Sequence, residues 1–159
     1  METPAIRRLG IDDIDILMDW RMRVIKEVFD LPDGYDMSAM RQANLQYYWT
    51  NLPSHRHIAV IADLDGEPVG CGGLCLYDEM PSPENPHGQC GYLMNIYVTP
   101  ALREKGIGTE IVKWLAKEAR KHGCGRVFLE TTEAGLHVYQ EIGFKPMKGF
   151  MALPTDQEL

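Results

Sequence analysis

The stretch LREKGIGTEI, residues 102–111, sets two glycines one residue apart behind an arginine and a lysine, just where a helix begins. From Gly106 to His122 the apolar residues Ile107, Ile111, Val112, Leu115, Ala116 and Ala119 recur on one helical face. Lys117, Arg120, Lys121 and His122 fill the last turns, and Gly123 supplies a stop. Each glycine in a first turn costs roughly 0.5–1 kcal/mol relative to alanine, so two of them in a helix of good formers ask for a compensating use. A loop that opens a helix offers free backbone N–H groups and the positive end of the helix dipole. Both favour an anion, and glycine lets a ligand approach the backbone.

Around this loop the chain alternates. QCGYLMNIYV (89–98) is an apolar, β-forming run stopped by Thr99-Pro100, and RVFLETT (126–132) is a second buried strand. A right-handed crossover through the helix makes these two strands parallel. The glycine loop then lies at the carboxyl end of a strand, where open α/β sheets bind their ligands. Upstream, AIRRL (5–9) is a short first strand, 11–29 and 37–52 are helices, and 57–64 and 67–77 are strands joined by the tight Asp65-Gly66 turn. Residues 78–88, rich in proline and acids, form a surface loop. Downstream, 133–143 is a short helix and 144–154 a final strand. The order β-α-α-β-β-β-α-β-α-β describes one α/β domain over residues 1–159, with an α+β mixed sheet flanked by about four helices.

Bulk composition narrows the function classes. The chain has 159 residues, 45% hydrophobic and 25% charged, with a formal net charge of −7. That balance belongs to a globular domain able to bury a core without staples, and it argues against nucleic acid as the main partner. No run approaches a membrane span and the amino terminus lacks a signal-like apolar core, so the expected location is the cytoplasm. The four cysteines and five histidines show no metal-ligand spacing, so buried thiols and no metal are expected.

Two familiar phosphate loops do not fit. The Walker A pattern needs Gly-Lys-Ser/Thr, whereas Gly108 is followed by Thr109-Glu110. The dinucleotide fingerprint begins correctly at Gly106, but its third glycine position holds Ile111. Seven residues also separate Val98 from Gly106, too many for that tight strand-to-helix turn. A nicotinamide-dependent oxidoreductase is thus the weakest of the readings.

The run NIYVTPALREKGIGT (95–109) closely resembles motif A of the GCN5-related N-acetyltransferases, the GNAT superfamily, whose pattern is a strand followed by R/Q-x-x-G-x-G/A opening a helix. The resemblance extends to VYQEIGF (138–144), similar to that family's late helix ending in Tyr-x-x-x-Gly-Phe. It implies acetyl-CoA as cosubstrate, its pyrophosphate held by backbone amides from Arg103 to Thr109, chiefly Arg103, Lys105, Gly106, Ile107, Gly108 and Thr109. It also implies a bulge in the preceding strand, where Ile96 and Val98 contact the pantetheine arm and an amide near Met94 to Ile96 polarises the thioester carbonyl.

The implied reaction is direct attack of an amine on the thioester, with Tyr139 as the general acid for the departing thiolate. A phenol is protonated at neutral pH, as that role requires. The position at which many relatives carry a glutamate base holds Tyr92, which leaves Asp78, Glu79, Glu130, Glu133 and His137 as alternatives. The acceptor is a small-molecule or peptide amine. Its pocket is expected from the first two helices, the 78–88 loop and the carboxyl-terminal strands, and Asp78, Glu79 and Glu84 with Tyr47, Tyr48 and Trp49 would suit a cationic amine. A non-catalytic acyl-CoA sensor is the alternative function, and a homodimer is left open.

Overall fold

The computed structural model describes residues 2–159. A single sheet of five strands runs in the order β1 (Ala5–Leu9), β2 (His57–Leu64), β3 (Glu67–Asp78), β4 (Gln89–Val98) and β5 (Arg126–Leu129). Neighbours among the first four are antiparallel, and of the paired strands only β4 and β5 run parallel, as the crossover rule requires. The β2–β3 turn has Asp65 and Gly66 both at positive φ, 53° and 80°, which matches the right-handed twist of a tight hairpin.

Helices cover both faces. α1 (Ile14–Val28) and α2 (Ser38–Asn51) lie on one side, where Leu17, Met18, Val24 and Tyr48 pack with Ile61, Cys71 and Tyr97. α3 (Ile107–Lys121) lies on the other, where Ile111, Val112 and Leu115 meet Val60, Leu74 and Leu93. This is why β2 is buried at every position from His57 to Ala62 instead of alternating. α3 rests directly on the β3 backbone. A Cβ added at Gly72 would stand 2.6 Å from Ile111 Cγ2 and 2.9 Å from Leu115 Cδ1.

β4 carries an irregularity. Its pairing with β3 runs Met94↔Gly73 and then Tyr97↔Cys71, so Asn95 and Ile96 together face Gly72. Asn95 takes φ 59° to make this bulge. On the other side, β5 pairs from Cys90↔Arg126 only as far as Leu93↔Leu129. Among the described residues, 94–98 of β4 therefore have one edge without a neighbouring strand.

The carboxyl-terminal expectations need correction. The strand expected over 126–132 ends at Leu129, because Thr132 turns to cap α4 (Glu133–Ile142), its hydroxyl accepting from Gly135 N at 3.3 Å. The strand expected at 144–154 does not form. Pro146 has no N–H to give a ladder, and Gly149 sits at φ 93° in the middle of the segment.

Candidate functional site

The loop opening α3 is shaped for an anion. Gly106 is the N-cap at φ 83°, and Glu104 precedes it at φ 64°. No side chain caps the helix, and its first internal bond is Glu110 N to Gly106 O at 3.1 Å. The backbone amides of Lys105, Gly106, Ile107, Gly108 and Thr109 have no partner among the described residues. Five consecutive free donors at a helix amino terminus make a concave positive end. Arg103 differs: its amide already bonds Pro100 O at 3.3 Å.

Gly106 and Gly108 serve different ends. Gly106 needs its left-handed backbone. Gly108 has no such need, since an added Cβ would meet only Val98 Cγ2 at 3.7 Å. Folding leaves that space open beside β4, and a ligand can use it. Ile107, by contrast, is 3% exposed and anchors the loop in the core.

The arginine of the motif holds the loop in place. Arg103 Nε donates to Val98 O at 2.9 Å, Nη2 bonds Glu27 Oε1 at 2.6 Å, and the guanidinium lies 5.2 Å from the Tyr97 ring. The Tyr97 hydroxyl donates to the second oxygen of Glu27. These two donors, Tyr97 first, hold the Glu27 carboxyl below the usual carboxylate range. Glu27 lies too far from the motif in sequence to be read as its partner.

Tyr139 stands in a groove of about 940 Å³ between α3, β5 and α4. Gly143, at φ 121°, ends α4 and lets Phe144 N bond Tyr139 O at 3.0 Å. Phe144 thereby folds back to pack edge-on against the Tyr139 ring, 6.1 Å between centroids. That is the physical content of the Tyr-x-x-x-Gly-Phe pattern: the glycine turn fixes the tyrosine's neighbour. The Tyr139 hydroxyl makes no hydrogen bond to another described residue, and burial raises its pKa above that of a free phenol. Lys113, Lys117, Arg120 and Lys145 line the same groove, which has no carboxylate in its wall.

Of the acids proposed as bases, Glu130 follows Leu129 at the end of β5, beside Tyr92, and the others lie elsewhere. Asp78 ends β3 paired with Gln89, and Glu79 and Glu84 follow in the loop that Asn85 locks from inside by donating to Gln89 O at 3.0 Å. Glu79 pairs with Arg126 at 3.3 Å. Asn95 lies six steps along the strand from Gln89, roughly 20 Å, so this loop stands at the far end of β4 from the bulge. His137 pairs with Glu141 at 2.9 Å on the exposed face of α4. Glu133 is exposed in the first turn of α4. Tyr92 leans on Phe128, 5.0 Å between centroids, and its pKa is raised by burial and by the neighbouring Glu130 charge.

A second pocket, about 240 Å³, opens between α1, α2 and the bulge. Tyr47 and Tyr48 line it as expected, while Trp49 is 54% exposed elsewhere on the helix. Arg21, Asn44, His57, Cys75, Met94 and Asn95 join them, and sequence reasoning assigned none of their side chains to a pocket. The usable signals were slight: Arg21 interrupts an apolar face, and Asn95 is the one amide well inside a hydrophobic strand. His57 is 3% exposed, with Nδ1 2.7 Å from the Tyr47 hydroxyl and Nε2 without a partner. Burial first, then the Arg21 charge, lowers its pKa to about 4, so the imidazole is neutral at pH 7. Among the described residues no cluster of metal-ligating side chains occurs, and no helix is long and apolar enough to cross a membrane.

Known proteins share this architecture. Residues 19–144 match the acetyltransferase (GNAT) family. The uncharacterised N-acetyltransferase YjgM of Escherichia coli strain K12 is 26% identical over 152 residues, covering 91% of this chain and 83% of its own. Glucosamine 6-phosphate N-acetyltransferase of Candida albicans is 28% identical over 141 residues, covering 89% of each chain. The crystal structure of an acetyltransferase from Clostridium acetobutylicum with acetyl-CoA superposes with a TM-score of 0.81 at 23% identity, covering 96% of both chains. With the family match spanning most of the chain and the glycine loop, bulge and tyrosine helix in their places, this protein belongs to the acetyltransferase (GNAT) family.

Proposed function

We propose that this chain transfers the acetyl group of acetyl-CoA to the amine of a small molecule, by direct attack on the thioester. The observation that carries the reading is the run of five free amides, Lys105 to Thr109, beside the unpaired edge of β4. Those amides suit the pyrophosphate, with the space at Gly108 admitting it close to the backbone. Ile96 and Val98 lie along the open edge, where an extended pantetheine arm adds to β4 as a further strand would. The cationic groove of Lys113, Lys117, Arg120 and Lys145 fits a polyanionic cosubstrate in a chain of net charge −7. The acetyl-CoA in the Clostridium relative and the amino-sugar substrate named for the Candida relative support the same direction.

In this scheme the neutral amine attacks the carbonyl carbon, with a β4 amide near the bulge polarising the oxygen. The attacking nitrogen loses its extra proton to water, the tetrahedral intermediate collapses and the C–S bond breaks. Tyr139, protonated and free of other hydrogen bonds, gives its proton to the departing sulfur. The test is calorimetry with acetyl-CoA, followed by an amine screen that reads released thiol. Tight acetyl-CoA binding with thiol release supports the enzyme, while binding without transfer to any amine indicates an acyl-CoA sensor. Absence of binding rejects both.

A further inference from the structure

The pocket between α1, α2 and the bulge contains one formal charge, and it is positive. Arg21 donates from Nε to Asn44 Oδ1 and from Nη1 to Asn95 Oδ1, each at 2.9 Å. Asn44 is itself set by donating Nδ2 to Met40 O at 2.8 Å. Two of the five guanidinium N–H groups are thus used to aim the group, and three have no protein partner. Among the described residues no carboxylate lies within ion-pair distance of Arg21, and the pocket wall contains none. A half-buried cation held in one orientation without a counter-ion is costly unless a ligand supplies one.

We infer that Arg21 is the anion-binding residue of the acceptor pocket, and that the acceptor is an amine bearing a carboxylate or phosphate group. This rests on the acetyltransferase reading above and narrows it. It also reverses the expectation of a cationic acceptor drawn from the acidic 78–88 loop, which lies at the other end of the sheet. Asn95 ties the anion site to the bulge, so the acceptor's amine end lies close to the thioester position on β4. The volume, about 240 Å³, suits a group the size of an amino acid or a sugar fragment.

The test uses matched amines with saturating acetyl-CoA: glucosamine 6-phosphate against glucosamine, phosphoethanolamine against ethanolamine, and lysine against lysinamide. Wild-type protein should favour the anionic member of at least one pair by about tenfold or more in kcat/KM, and which pair responds distinguishes phosphate from carboxylate. Arg21→Gln should cost that substrate about 10- to 100-fold, mainly through KM, and cost its neutral mate much less. Arg21→Lys should recover part of the loss, since it keeps the charge without the fork. The Kd for acetyl-CoA should not move in either variant. If Arg21→Gln fails to fold, Arg21→Lys and Asn44→Ala make the same comparison. Equal rates within every pair, or no transfer to any anionic member, overturn the inference. So does an equal fall for both members together with weaker acetyl-CoA binding, which would make Arg21 only a prop for the bulge. Loss of acetyl-CoA binding in the wild type is the separate result that defeats the acetyltransferase reading.

Discussion

Alanine at Gly108 should make the protein more stable and a poorer acetyl-CoA binder at once. The added methyl meets only Val98 Cγ2 at 3.7 Å, an ordinary contact. Gly108 sits in the first turn of α3, where alanine gains roughly 0.5–1 kcal/mol over glycine. In a domain of this size that raises Tm by about 1–4 °C. The same methyl occupies the gap beside β4 that the cradle needs, and intrusion into a packed contact typically costs about 1–3 kcal/mol. Acetyl-CoA affinity should therefore fall by about tenfold or more. Gly106→Ala is the control of opposite sign. Its φ of 83° makes any Cβ strained, so stability should drop by about 1–2 kcal/mol. Thermal melts and calorimetric titrations of the two variants measure both quantities. The reasoning fails if Gly108→Ala destabilises the fold, or if it gains stability and still binds acetyl-CoA as the wild type does.

Tyr139→Phe should lower kcat by about 100-fold or more with acetyl-CoA Kd unchanged, because only the proton donor is removed. Its Tm should barely move, since the hydroxyl bonds to no described residue; unchanged turnover would remove the general-acid role. His57 gives a pH signature. Above pH 6.5 it is neutral in both folded and unfolded chains, and below that only the unfolded chain gains the proton until about pH 4. Stability should thus decline as pH falls through this window, by about 2 kcal/mol at pH 5, and His57→Gln should flatten the slope in urea titrations. Glu27→Gln should weaken acetyl-CoA binding several-fold by freeing Arg103 and the loop, a change calorimetry reads directly.

Much of this was written in local pattern. The Asp65-Gly66 pair announced its hairpin, and the spacing from Ile107 to Ala119 announced α3, because each depends on neighbours in sequence. The turns at Gly106 and Gly143 were legible because their geometry is backbone geometry: a left-handed N-cap and a helix-ending glycine. The misreadings came from tertiary placement. FKPMKGFMALP has strand-like side chains, yet Pro146 and Gly149 deny it a ladder. The acids of 78–88 looked close to β4, but six steps of extended strand carry the bulge away from Gln89 and the loop before it. Arg21 carried no role in the sequence reading. Its meaning required knowing that α2 brings Asn44 and the bulge brings Asn95 to the same guanidinium.

The central claim is that the amides opening α3 and the free edge of β4 together bind acetyl-CoA. Calorimetric titration of the wild type beside Gly108→Trp tests it most directly. The account expects a single saturable site in the wild type and loss of that site in a variant that remains folded by its melting curve. No binding by the wild type, or equal affinity in Gly108→Trp, would contradict it.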